Sequence, residues 1–170
     1  GNSMSGMDQF LPLANCLGDI LNDNGYALNY IGGSSLDFAG KGNFYRSHGF
    51  EVVEGLSELR SKSDNSYLSP WGLFDDTLFE ILKDRYRSSV SESEPFGIFA
   101  LTLDTHHPDG YMSKSCNDLV YRDGKNPILN SIHCADMLAG RFIEYVQSNH
   151  KFSNTTLVVS SDHLALKNSA

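Results

Sequence analysis

Positive charge is scarce in this chain. Its 13 Lys and Arg face 21 Asp and Glu, a formal net charge of −8 over 170 residues. A nucleic-acid surface needs clustered Lys and Arg to displace counterions; no basic stripe exists, so no nucleic acid is expected as a partner. A bound phosphate must then rely on a few local cations, a metal ion or backbone N–H groups, not on the overall field. Long apolar runs are missing too, and none approaches the roughly 20 residues that span a bilayer. The chain opens Gly1-Asn2-Ser3-Met4 with no basic or apolar region, so no signal peptide is read, and it reads as starting inside a longer protein. There is no CxxC pair, which argues against a structural zinc site. Walker, GxGxxG and GxSxG signatures are likewise absent. No Ser or Thr stands out as a nucleophile.

What remains is the composition of an ordinary soluble globular protein, 40% hydrophobic and 20% charged. The length suits one domain or a large piece of one. No repeat, low-complexity tract or domain boundary is evident. The three cysteines are Cys16, Cys116 and Cys134. Cys116 and Cys134 bracket a polar segment, a disulfide loop worth about 3 kcal/mol in an oxidising compartment. Three reduced thiols are an equal reading of the sequence alone.

Two apolar stretches end in acids and imidazoles. Leu157-Val158-Val159-Ser160-Ser161 reads as a buried strand followed by Asp162-His163, and Ile98 to Leu103 as another followed by Asp104-Thr105-His106-His107-Pro108. In open parallel sheets ligands bind beyond the carboxyl ends of the strands. Periodicity predicts an amphipathic helix from Leu13 (Leu13, Leu17, Ile20, Leu21) stopping at Asn24-Gly25, then a strand from Tyr26 to Ile31 and a turn over 32–35. A brief helix ending near Gly49, a short strand Phe50 to Val53 and a polar loop over 60–70 follow. A helix is expected over about 72–88, with Asp75-Asp76 at its positive end. After a polar excursion over 104–129, helical spacing from Ala135 to Val146 predicts another helix, and 155–161 predicts the closing strand. The alternation is that of an α/β fold, a mostly parallel sheet with helices on both faces.

Asp162 and His163 offer a hard oxygen and an imidazole nitrogen, a pair suited to Mn²⁺, Mg²⁺ or Zn²⁺; the plainer reading is a capping Asp beside a surface His. His106 and His107 leave a strand on opposite sides, so one of them at most faces a site, where it could meet a phosphate oxygen or leaving group. Asp104 could orient one of these imidazoles. Lys41, between Gly40 and Gly42, either reaches an anion as a compact point charge or is a solvated turn lysine.

Together, Thr102-Leu103-Asp104-Thr105-His106-His107-Pro108-Asp109-Gly110, Ser160-Ser161-Asp162-His163-Leu164-Ala165, Cys16-Leu17-Gly18-Asp19-Ile20-Leu21, Phe38-Ala39-Gly40-Lys41 and Ser47-His48-Gly49-Phe50 resemble a known family. It is that of the membrane phosphoglycerol transferases of osmoregulated periplasmic glucan synthesis, sulfatase-like enzymes of the alkaline phosphatase superfamily related to lipoteichoic acid synthase. The resemblance implies a divalent metal, usually Mn²⁺, with Mg²⁺ or Zn²⁺ as alternatives. It also implies a threonine nucleophile that takes phosphoglycerol from phosphatidylglycerol and passes it to a glucan hydroxyl. Splitting the transfer through a covalent phospho-enzyme is sound chemistry.

By the same resemblance Asp162 and His163 fall on metal ligands, His106 on the substrate histidine with His107 beside it, and Lys41 on the position of a phosphate-binding arginine. The threonine, a glutamate ligand, the membrane helices and the C-terminal part of the catalytic domain are expected outside residues 1–170. The chain is then the central portion of a periplasmic domain of an inner-membrane protein, inactive alone and holding metal weakly. The oxidising periplasm implies the Cys116–Cys134 disulfide, leaving Cys16 free. Rival expectations are a sulfatase or phosphodiesterase of the same superfamily, or a non-catalytic glucan- or headgroup-binding module.

Overall fold

The computed structural model describes residues 6–64, 66–92, 94–149 and 152–163. They fall into two compact units, one running to Leu103 and the other beginning at Asp104. Among the described residues, no helix is long and apolar enough to cross a membrane.

The first unit is built on a parallel sheet. Strand β1 (Ala27–Gly32) lies between β2 (Val52–Glu54) and β5 (Phe96–Leu101), with Tyr30 opposite Val53 on one side and Phe99 on the other. A central parallel strand is covered on both faces, and every residue from Leu28 to Gly32 is buried. Side chains alternate across a strand, so Leu28 and Tyr30 face one way, where Phe50, Val53 and Leu36 join them in the core. Helix α1 (Leu17–Asp23) adds Leu21 to that face and α2 (Lys41–Ser47) adds Tyr45, stacked on Tyr30 at 3.8 Å between ring centroids. Asn29 and Ile31 face the other way with Phe96 and Ile98. There α4 (Asp75–Ser91) covers the sheet, and Tyr86 meets Phe96 edge-on at 6.1 Å. The fold is therefore α/β, with helices on both faces of a parallel sheet. Burying side chains such as Leu28, Ile31, Leu78 and Leu82, none more than 1% exposed, contributes about 1.5–3 kcal/mol apiece before chain entropy is charged.

Several local expectations change. The first helix begins at Leu17, not Leu13, and of the apolar stripe read from the sequence only Leu21 packs on the core: Leu13 is fully exposed, Leu17 58% and Ile20 44%. Beside Leu21, α1 buries Gly18, where a Cβ would collide with the His48 carbonyl and the Phe50 ring. Close backbone approach at Gly18 together with Leu21, not a four-residue leucine stripe, seats this helix. The loop over 60–70 contains one strand of a small antiparallel hairpin, β3 (Leu68–Ser69) with β4 (Gly72–Leu73), preceded by a single helical turn α3 (Leu56–Leu59).

In the second unit α5 (Pro127–Gln147) starts two turns earlier than its apolar spacing suggested. Pro127 at the first helical position has no N–H to satisfy, and the Asn126 side chain accepts from the Leu129 amide at 3.3 Å. Ser131, Cys134, Leu138 and Val146 form its buried face. The expected closing strand over 155–161 is not a strand. It has no ladder partner among the described residues, and Val158 and Val159 are 80% and 71% exposed. A β-branched run supplies strand propensity, but a single extended segment without a neighbour leaves its backbone groups to water.

Candidate functional site

At the carboxyl end of β1 the chain turns through Gly32, Gly33 and Ser34. The β3–β4 hairpin is fastened to this turn by the Leu73 amide, which donates to the Gly33 carbonyl at 3.0 Å. The chain then reverses through Ala39 and Gly40, both at positive φ (57° and 69°), so that Lys41 opens α2. Lys41 is not a solvated turn lysine. Its Nζ donates to the Ser34 hydroxyl and lies 5.3 Å from the centre of the Phe38 ring, itself edge-on to Trp71. Burial holds its pKa below the ordinary lysine value. A half-buried ammonium beside a buried hydroxyl at a strand terminus can bind an anion.

Glu54, at the end of β2, accepts from Lys62 and Arg85, each at 2.8 Å. Burial pushes its pKa up, but the two cations outweigh that and hold it below the ordinary value. The end of β5 is fixed by Asp75, which is fully buried in the first turn of α4.

In the second unit Asp104 is 1% exposed and is used structurally. Its carboxylate accepts from the Ser113 hydroxyl at 2.5 Å, and its carbonyl accepts from the Tyr111 amide and the Ser131 hydroxyl. Gly110, at φ 67°, lies against Ser131 where a Cβ would not fit. This folds residues 104–113 onto α5. His106 Nδ1 donates to the His107 carbonyl at 2.8 Å, which orients the ring. His106 and His107 are both half-buried. Cys116 and Cys134 are joined in a disulfide that staples the excursion to α5, with 5.7 Å between Cα atoms. A shallow groove of about 370 Å³ opens nearby, lined by Pro108, Asp109, Asp123, Lys125, Asn126 and Pro127.

Asp162 and His163 lie at the exposed end of the 155–161 segment, Oδ1 and Nε2 3.6 Å apart. They form no group of three donors with His106 or any other described residue; the group that does form is Cys16, Asp19 and His48. His48 is 3% exposed, and its two ring nitrogens lie 2.8 Å from the Asp19 carboxylate and from the Phe10 carbonyl. The Phe10 carbonyl and Asp19 raise the His48 pKa against the opposing effect of burial. The bond from His48 lowers that of Asp19. Sequence reading quoted both stretches and gave neither residue a role. The one local signal was an acid three residues after Cys16 at a helix start, where Asp19 accepts from the Cys16 amide at 2.8 Å.

Comparison with known proteins places these features in a family. The sulfatase family model matches residues 3–169. Phosphoglycerol transferase I of Citrobacter koseri is 40% identical over 173 aligned positions, covering 100% of this chain and 23% of the relative. Phosphoglycerol transferase I of Xanthomonas campestris is 40% identical over 170 positions, 98% of this chain and 24% of the relative. The chain thus spans about a quarter of the length of these curated relatives. Among solved structures, an alkaline phosphatase superfamily protein from Vibrio parahaemolyticus superposes with a TM-score of 0.63 at 18% identity, over 79% of this chain and 32% of that one. The lipoteichoic acid synthase LtaP of Listeria monocytogenes gives 0.55 at 17%, over 76% and 34%. The fold is that of this superfamily, and the chain belongs to the sulfatase family.

Proposed function

We propose that the whole protein moves phosphoglycerol from phosphatidylglycerol to a periplasmic glucan through a covalent phospho-enzyme, at the periplasmic face of the inner membrane. The observation that carries this is the 40% identity, over the full chain, to proteins named phosphoglycerol transferase I. On this reading residues 1–170 are the middle of the catalytic domain, and the nucleophilic threonine comes from outside them. The chain alone is then inactive.

Lys41 binds a phosphate oxygen as a point charge, with Ser34 fixing the direction of its ammonium. His106, its ring oriented by the His107 carbonyl, meets the glycerol or leaving oxygen. His107 contributes through its carbonyl, which holds the His106 ring. The groove beside α5, with Asp109, Asp123, Lys125 and Asn126, offers donors and acceptors for a hydroxyl-rich acceptor. Asp162 and His163 supply one oxygen and one nitrogen, a donor set that fits a divalent ion such as Mn²⁺ as part of its coordination sphere. Such an ion would neutralise charge on the phosphoryl oxygens.

Incubating the whole protein with headgroup-labelled phosphatidylglycerol and glucan tests this. Label on the glucan is the expected result. Label released to water as glycerol phosphate would identify a phosphodiesterase, and binding without turnover a recognition module.

A further inference from the structure

One cluster of donors takes no part in the reaction proposed above. Cys16 precedes α1, Asp19 lies in its first turn and His48 follows α2. One donor atom from each lies within 4.8 Å of the other two. His48 Nε2 is 4.0 Å from Cys16 Sγ and 2.8 Å from the Phe10 carbonyl, while Nδ1 is 2.8 Å from Asp19 Oδ2. With Cys116 and Cys134 joined, Cys16 is the free thiol of the chain.

We propose that this cluster is a binding site for a thiophilic divalent cation of the zinc class, held by Cys16 Sγ and His48 Nε2, with Asp19 orienting the imidazole from Nδ1. Thiolate and imidazole are preferred zinc ligands. Bond lengths of about 2.3 Å to sulfur and 2.0 Å to nitrogen put tetrahedral ligands about 3.5 Å apart. The observed 4.0 Å must therefore close by about half an ångström, within reach of a rotation of the Cys16 side chain at the mouth of a loop. The carboxylate on the far ring nitrogen is the usual support of a metal-bound histidine, fixing both tautomer and ring orientation. The Phe10 carbonyl accepts from Nε2 at 2.8 Å in the metal-free chain, so it must swing off the Nε2 axis to admit the ion, and water completes the sphere.

The proton balance is simple. Without metal, the two ring nitrogens of His48 bond the Asp19 carboxylate and the Phe10 carbonyl. The incoming ion replaces the Nε2 proton and the thiol proton. Two protons leave, and binding tightens as pH rises. Closing α1 onto the end of α2 through a metal would reinforce the contact that Gly18 makes with the His48 carbonyl.

Titrating the chain with Co²⁺, its disulfide intact, reads the site directly. A thiolate-to-cobalt charge-transfer band should saturate at one equivalent, persist in the D162A/H163A double variant and vanish in C16S. No band in the wild-type chain, or a band that survives C16S, overturns the proposal. D19N should weaken Co²⁺ binding by about 10–100-fold; unchanged affinity would remove Asp19 from its orienting role. Because H48Q can fail to fold, a second measurement uses the unaltered chain. Zn²⁺ should slow alkylation of Cys16 by a thiol reagent by about tenfold or more, and an unchanged rate refutes the site.

Discussion

The Leu103 amide donates to the Asp75 carboxylate at 2.7 Å, in a fully buried setting that ties the exit of β5 to the first turn of α4. The acid lies at the positive end of its helix, where the dipole favours it. Replacing Asp75 with Ala leaves a buried N–H without its acceptor, and should cost about 1–3 kcal/mol in urea unfolding. A midpoint unchanged from wild type would show that water takes over the bond.

Gly18 lets α1 reach the backbone at His48. Gly18→Ala places a methyl against a carbonyl that cannot rotate away, so it should destabilise the chain by about 1–3 kcal/mol despite the better helix propensity of alanine. Leu13→Ala, at a fully exposed position, should leave the thermal midpoint where it is. Calorimetry on the pair separates the contact seen here from the leucine stripe suggested by the sequence.

Stability should respond to pH at both ends of the range. The His48 pKa is raised above 6.5, so its contribution is complete below that value and is lost as pH rises through the folded-state pKa. Glu54 is lowered below 4.5, so its contribution is present above that value and is lost as pH falls through its folded-state pKa. Thermal midpoints measured above about pH 6.5 should decline, with the slope flattened in His48→Gln. Below about pH 4.5 they should decline again, less steeply in Glu54→Gln. A wild-type profile flat above neutrality contradicts the His48 assignment.

The disulfide closes a loop with a sequence separation of 18, which makes its expected contribution about 3 kcal/mol. Reduction, or the C116A/C134A double variant, should lower stability by that order. Labelling without reductant should modify Cys16 alone; labelling at all three positions would deny the bond.

In the whole protein, Asp123→Ala and Lys125→Ala should raise KM for the glucan acceptor while leaving kcat near wild type, as expected for uniform binding contacts in the groove beside α5. An effect confined to kcat would place these residues elsewhere in the reaction.

Much of this architecture could be read in the residues themselves. The strands β1 and β5 show as mostly apolar runs and helix α4 as helical spacing, because packing in or against a sheet favours that pattern. The pairing of His48 with Asp19 could not be read, since it spans 29 positions and depends on where α2 delivers its last turn. The two-residue strands of the β3–β4 hairpin are too short to alternate visibly. The start of α5 escaped because Leu129 and Ile132 in its first two turns are exposed and lie off the buried face, so only Asn126 and Pro127 mark it. The segment 157–161 shows the opposite failure: its composition is that of a strand, yet pairing needs a neighbour that composition cannot supply. The expected strand-end site rested on residue types alone, and among the described residues no third donor joins Asp162 and His163.

The most direct test of the functional account is phosphoglycerol transfer by the whole protein carrying Asp162→Ala. Loss of a metal ligand should reduce transfer by at least about 100-fold, more than the loss of a supporting residue costs. The variant should retain its fold by circular dichroism. Transfer at the wild-type rate would contradict a metal held by Asp162, and with it the reaction proposed for this site.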